Sequence, residues 1–145
     1  KKAYAGTRGT ADVLDVLKGA QFISELDAIA GYRQIPIEEQ SRCLAAYISR
    51  NGKYHPNFLQ MSMINSMVTF QRNMDMMLSG LAWSICVCYV DNNWVFSQTF
   101  EQHLIDLDTV LERYERYNIF LHPDKTYITF PELEVMGFVV NSMGV

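Results

Sequence analysis

Residues 84–97 read SICVCYVDNNWVFS. SICVCYV is a nearly continuous apolar run rich in β-branched and aromatic side chains, NWVFS is a second, and Asp91-Asn92 divides them. Apolar runs of this length bounded by turn residues read as buried strands, so the stretch predicts a hairpin with its turn at Asp91.

The flanks carry the helical period instead. Before the hairpin, residues 65–81 place apolar side chains at positions 67, 70, 74, 77, 78 and 81, the spacing of one helix face, and Gly80 loosens the end. After it, Thr99 and Gln102 form a T-x-x-Q capping box. The helix this opens has Leu104, Leu107, Leu111 and Tyr114 in one stripe and closes near Asn118, a left-handed cap. Six of the eight methionines fall in residues 61–77 and read as adaptable core filler.

Farther out, residues 11–19 suit a short amphipathic helix through Val13, Leu14 and Leu17, ended by Gly19. In QFISELD (21–27), Phe22, Ser24 and Leu26 alternate with Ile23 and Glu25, which predicts a strand with Asp27 at its tip. RCLAAYISR (42–50) and KYHPNFLQM (53–61) read as strands flanking Asn51-Gly52, a strong hairpin signal, and Pro56 confines the second to an edge or bulge. The tail holds two strand-like pieces, TYITF (126–130) and EVMGFVV (134–140), separated by Pro131.

This order of elements predicts an α+β fold, an antiparallel sheet with helices packed on one face. With 145 residues, 49% of them hydrophobic, the chain can bury one sizeable core. Residues 11–145 are expected to form a single domain behind a frayed arm, residues 1–10. No run of 18 apolar residues occurs and no apolar segment follows Lys1-Lys2, so a soluble, intracellular protein of cytoplasm or nucleus, without membrane contact, is expected. Cys86 and Cys88 sit two apart, where a strand points both the same way, and with Cys43 they read as reduced, buried thiols. Sixteen Asp and Glu against twelve Lys and Arg leave a net charge of -4, so any grip on nucleic acid must be local or weak.

Two acids stand at strand ends, Asp27 closing FISELD and Asp91 closing CVCYVD. If these strands lie side by side and end at one edge, their carboxylates converge on a hard cation such as Mg²⁺, which keeps waters and substrate phosphates as its other ligands. A two-metal phosphoryl-transfer site needs such a pair. The plainer reading is turn chemistry, for which Asp and Asn are favoured in any hairpin.

A resemblance weighs toward the first reading. ADVLDVLKGAQFISELDAIAGYRQIPIEE (11–39) is similar to the gypsy-type reverse-transcriptase segment in which a short helix leads to F-S-x-L-D-x-x-x-G-Y-x-Q-I. RNGKYHPNFLQMSMINSMVTFQR (50–72) resembles F-G-x-Y-E-F-x-x-M-P-F-G-L-x-N-A-P-x-T-F-Q-R. CYVDNNWVFSQTFEQHLIDLDTVLERY (88–114) resembles Y-x-D-D-x-x-x-F-S and its following helix. LHPDKTYITFPELEVMGFVVNSMGV (121–145) resembles N-P-x-K through F-L-G-x-V-V-x-x-x-G-I. The motifs fall in order from about Ala11 to Val145. The resemblance implies a polymerase palm of ferredoxin-like architecture with a partial fingers hairpin. It makes Asp27 the first-motif carboxylate that binds both metals, Asp91 the first acid of the Y-x-D-D turn, and Tyr32 the aromatic gate against a 2′-hydroxyl. Lys125 falls where the family has a lysine near the leaving pyrophosphate, a proton donor.

The departures fall on functional positions. Asn92 replaces the second Asp of the turn, keeping size and one carbonyl oxygen but losing the charge that a hard cation favours. In LQMSMINSM (59–67), Met61 and Ser62 stand in the nucleotide-binding stretch, Ser62 where a glycine lets backbone approach the nucleotide, and Met67 replaces a proline. The resemblance spans palm and partial fingers, without the further fingers strands, thumb, connection and RNase H regions. The expectation is a retroelement-derived palm, weak or inactive as a polymerase and holding Mg²⁺ weakly. It would serve by binding, as a scaffold or a self-associating module offering an open sheet face. Two alternatives stand beside it: an excised fragment of a working RNA-directed DNA polymerase using two Mg²⁺ ions, and a non-catalytic accessory protein. The expected partners are a weakly held primer-template and a protein, this chain included.

Overall fold

The computed structural model describes residues 9–61, 63–130 and 132–141. The arm expected over residues 1–10 lies almost wholly outside these, as do Ser62 and Pro131.

Helix α1 (Thr10–Leu17) buries Val13 and Leu17, and Gly19 at φ +82 turns the chain towards β1 (Phe22–Asp27). A short hairpin follows, β2 (Tyr47–Ser49) and β3 (Gly52–Tyr54), then α2 (Ser66–Met77). The predicted central hairpin is β4 (Cys86–Tyr89) and β5 (Asn92–Ser97). Helix α3 (Phe100–Arg116), β6 (Tyr127–Phe130) and a last hairpin, β7 (Glu132–Val135) and β8 (Phe138–Asn141), complete the chain.

One antiparallel sheet, ordered β4-β5-β1-β6, organises the domain. Period-two alternation sends Cys86, Cys88, Val95 and Leu26 to one face, where α2 and α3 cover them with Phe70, Met74, Met77, Leu107, Val110 and Tyr114. Val87, Trp94 and Ile23 point the other way, under Val13 and Leu17 of α1 and Leu133, Val135 and Val140 of the last hairpin. The α+β reading holds, and the two long helices share a face. The open sheet face expected for self-association is corrected: these strands carry large apolar side chains to both sides, so both need cover. Phe70 and Trp94, fully buried on opposite faces, would each cost about 3–5 kcal/mol if cut to alanine. Among the described residues no helix is long and apolar enough to cross a membrane.

Several local expectations are corrected. Residues 42–45 are not strand but part of a 3-10 helix, Glu39–Ala45: none of them is buried, Leu44 is exposed, and turn bonds such as Ser41 N to Glu38 O (2.9 Å) satisfy the backbone. Ser49 pairs with Gly52, so the hairpin turns at Arg50-Asn51 while Gly52 lies in β3. EVMGFVV is a hairpin rather than one strand, since Met136 (φ +53) and Gly137 (φ +85) form a left-handed two-residue turn. On α3 the inward stripe runs through His103, Leu107, Val110 and Tyr114, with Leu104 exposed. Thr99 accepts from Gln102 N (3.3 Å), but the Gln102 side chain turns to Asp106 (2.8 Å) instead of closing the capping box. Met74 and Met77 fill the core; Met61, Met67 and Met76 face outward, and so does Cys43. Asn118 is left-handed (φ +55), as expected of the cap.

Candidate functional site

Both β1 and β4 run antiparallel to β5, so they point the same way and end at one sheet edge. They are not side by side: β5 lies between them and sets Asn92 opposite Asp27 on one side and Tyr89 on the other. Val90 and Asp91 make the turn. Ala28 N donates to the Asp91 carbonyl (3.3 Å), fastening the turn to the end of β1. Val90 is held at φ +55, a left-handed backbone that costs a β-branched residue on the order of 1–3 kcal/mol. Gln71 of α2 offsets it, its Oε1 accepting from Val90 N (2.9 Å) and its Nε2 donating to Cys88 O (3.3 Å) and Asp75 Oδ1 (3.0 Å).

A cavity of about 540 Å³ opens at this edge, lined by Asp27, Tyr32, Met61, Asp91, His122 and Lys125 among others. Five sequence-predicted positions, Asp27, Tyr32, Met61, Asp91 and Lys125, thus share one space. Asn92 stands just outside the lining, at the start of β5, and Ser62 lies outside the described residues. A 3-10 turn, Gly31–Gln34, runs beneath the Asp91 side chain. A Cβ on Gly31 would come within 2.8 Å of Phe70 Cζ and 3.0 Å of Asp91 Oδ1, so glycine alone permits this approach. Tyr32 is buried against Phe70, ring centroids 5.1 Å apart. Lys125 is held to the same edge through its own segment: His122 N donates to Asp27 O (2.8 Å), and Lys125 N to His122 O (3.1 Å). Gln34 adds a bracket, donating to Ile29 O (2.6 Å) and Phe120 O (2.9 Å) while accepting from Phe120 N (2.7 Å).

Electrostatics follow from crowding acids at a partly closed edge. Burial raises the Asp91 carboxyl above its ordinary range, nearby Asp27 raises it further, and Lys125 opposes both. Burial, then Asp91, pushes the Tyr32 phenol up. Asp91 Oδ1 and His122 Nδ1 are buried without a hydrogen-bond partner among the described residues. Among those residues no three His, Cys, Asp or Glu side chains form a group suited to a metal. Gly31, Gln34 and Gln71 received no role from sequence reasoning, although they sit in G-Y-x-Q and F-Q-R, spacings that could have drawn attention to them.

The family model for reverse transcriptase (RNA-dependent DNA polymerase) matches residues 3–140. The chain belongs to the reverse transcriptase family. It is 31% identical over 134 residues to the enzymatic polyprotein of soybean chlorotic mottle virus, covering 91% of this chain and 19% of that protein. It is 32% identical over 132 residues to the retrovirus-related Pol polyprotein from transposon gypsy of Drosophila melanogaster, covering 91% and 13%. The fold matches the foamy viral protease-reverse transcriptase in complex with double-stranded DNA at a TM-score of 0.90 and 19% identity, over 99% of this chain and 25% of that one. The gypsy-type resemblance therefore holds. This reverse transcriptase chain spans about a fifth or less of the length of the curated relatives it matches. Reverse transcriptases generally use divalent metal ions.

Proposed function

We propose that Asp27 and Asp91 form a weakened Mg²⁺ site in this palm, and that polymerisation is weak or absent because Asn92 stands where the family has an acid. The observation that carries this is the meeting of Asp27 and Asp91 at one cavity, where among the described residues Asp91 Oδ1 has no hydrogen-bond partner and Lys125 opposes the repulsion. Two carboxylates, completed by waters and substrate phosphates, suit Mg²⁺. When bound, the ion would polarise phosphoryl oxygens and neutralise charge developing in transfer. An amide at position 92 adds no anion, and a lost electrostatic contact of several kcal/mol corresponds to about a hundredfold or more in rate. Tyr32 would limit the sugar, Met61 and Ser62 would flank the nucleotide, and Lys125 would hold a proton near the leaving group.

Primer-template is the partner this reading implies, held weakly by a chain of net charge -4. The similar foamy viral structures hold double-stranded DNA and an RNA/DNA hybrid. We assign the protein to the cell interior, cytoplasm or nucleus, acting there by binding as a scaffold. Primer extension with Mg²⁺ or Mn²⁺ tests the reading, and little or no extension is expected. Efficient extension by the longer protein carrying this chain, abolished by Asp27→Ala, would overturn it in favour of a fragment of a working RNA-directed DNA polymerase.

A further inference from the structure

We propose that Asn93 of β5 and Tyr114 of α3 hold a single water molecule inside the core, one residue behind the Asp27–Asn92 pair. The site takes a neutral ligand and needs no metal. Asn93 stands in register with Leu26 of β1 and Cys88 of β4, in the middle of the sheet. Two residues before Val95 on the same strand, it shares the face that α2 and α3 cover. Asn93 is 0% exposed and Tyr114 2% exposed, so bulk solvent satisfies neither.

An asparagine amide offers N–H donors at one end and a carbonyl acceptor at the other, and a phenol both donates and accepts. Asn93 Nδ2, Asn93 Oδ1 and Tyr114 Oη are all buried without a hydrogen-bond partner among the described residues. The two side chains are neighbours. Burial drives the Tyr114 phenol well above its ordinary range, Cys88 adds to this, and Asn93 works against it as a hydrogen-bonding group. A direct bond between the two would engage one end of the amide and leave the other bare. The described surroundings do not complete it. Tyr114 packs with Leu26, Val95, Leu107 and Val110, whose side chains carry neither donor nor acceptor, and the Cys88 thiol is turned to Val90 O (3.5 Å). Buried polar groups are almost always satisfied, by protein or by an internal water with roughly two to four polar partners. One water closes a ring here: Nδ2 donates to Oη, Oη donates to the water, and the water donates to Oδ1. Each orphaned atom is then engaged once, and α3 is tied to β5 directly behind the two edge residues.

The test is oxygen-17 relaxation dispersion of water, which counts long-lived internal waters, on this chain and on the double variant Asn93→Leu/Tyr114→Phe. Both are measured in EDTA, which keeps the cation site out of the comparison, so failure here leaves the Asp27–Asp91 reading standing and failure of Mg²⁺ binding leaves this one. The double variant replaces the polar groups by apolar ones of similar size, strands no partner and should fold. Its dispersion amplitude should be lower than the parent's by a single water. In the parent, water-selective NMR should show the Asn93 side-chain amide protons with the NOE sign of a bound water. Equal amplitudes in parent and double variant overturn the proposal. Should the double variant not fold, the parent decides alone: Asn93 amide protons without the bound-water NOE overturn the proposal and leave Asn93 and Tyr114 a direct bond.

Discussion

Ser24 Oγ lies 2.7 Å from His103 Nε2 inside the core, three residues before Asp27 on the same strand. Thr129 N donates to that hydroxyl (2.9 Å), leaving the Ser24 proton free to go to Nε2. Beyond the ring, Nδ1 lies 3.2 Å from Ser97 Oγ, whose own proton goes to Asp106 Oδ2 (2.7 Å). Because the Ser97 proton is committed to Asp106, Nδ1 must carry a proton, and in the neutral form that burial favours Nε2 accepts from Ser24. Helix α3 is thereby tied to β1, β5 and β6 at once.

A pH dependence follows. Burial holds the His103 imidazole below its ordinary 6.5, with Asp106 opposing. The unfolded chain takes up that proton at higher pH than the folded one, so stability is complete above about 6.5 and is lost as pH falls towards the folded value. Urea titrations across this window should show a falling midpoint. His103→Gln should flatten the fall and cost about 1–3 kcal/mol at neutral pH by leaving a buried hydroxyl without its partner. An equally acid-sensitive variant would remove His103 from this role.

Gly31→Ala should damage core and site together. Phe70 is wholly buried and cannot retreat from a Cβ at 2.8 Å, so a loss of about 1–3 kcal/mol in urea denaturation is expected. Phe70→Leu in the same chain should return part of that loss, since the two sites touch. Additive losses would mean that the contact with Phe70 is not the cause.

The three thiols should separate by reactivity. Burial pushes Cys86 up to about 12 and Cys88 higher still, whereas Cys43 is exposed. A disulfide reagent at neutral pH should label one thiol in the native protein and two more on unfolding, because the thiolate is the reacting species. Fast labelling of all three would contradict the buried placement of β4.

The elements that the sequence makes legible are those with a strong local period. The β4–β5 hairpin, α2, the β1 strand with Asp27 at its end and the Asn118 cap all follow from nearest-neighbour pattern. What stays hidden depends on distant partners. His103 belongs to the α3 stripe because Ser24 and Ser97 offer it hydroxyls, and hydropathy alone puts Leu104 there instead. The insertion of β5 between the two acid-bearing strands is likewise a matter of topology, which no local signal carries. Turn chemistry misled at EVMGFVV, where Met136-Gly137 was masked by its apolar flanks. Within the candidate site, motif spacing pointed to Asp27, Tyr32, Asp91 and Lys125, while Gln34 and Gln71 act through backbone bonds that become visible only once the loops are folded.

The cation site makes opposed predictions for two adjacent residues. Asp91 has a raised carboxyl, from burial first and Asp27 second, so the folded chain holds a proton there more tightly than the unfolded one. Stability therefore falls as pH rises from about 3.8 towards the folded value, and at neutral pH the ionised group weighs against the metal-free fold. Asp91→Asn should raise Tm in EDTA and abolish any rise given by Mg²⁺. Asn92→Asp sets a new anion opposite Asp27 in the strand register, so it should lower Tm in EDTA and tighten Mg²⁺ binding in calorimetry. About tenfold is expected, the equivalent of one added contact of about 1.4 kcal/mol. If Asn92→Asp changes neither quantity, the amide at that position is not what weakens the site, and the proposed loss of polymerisation loses its physical cause.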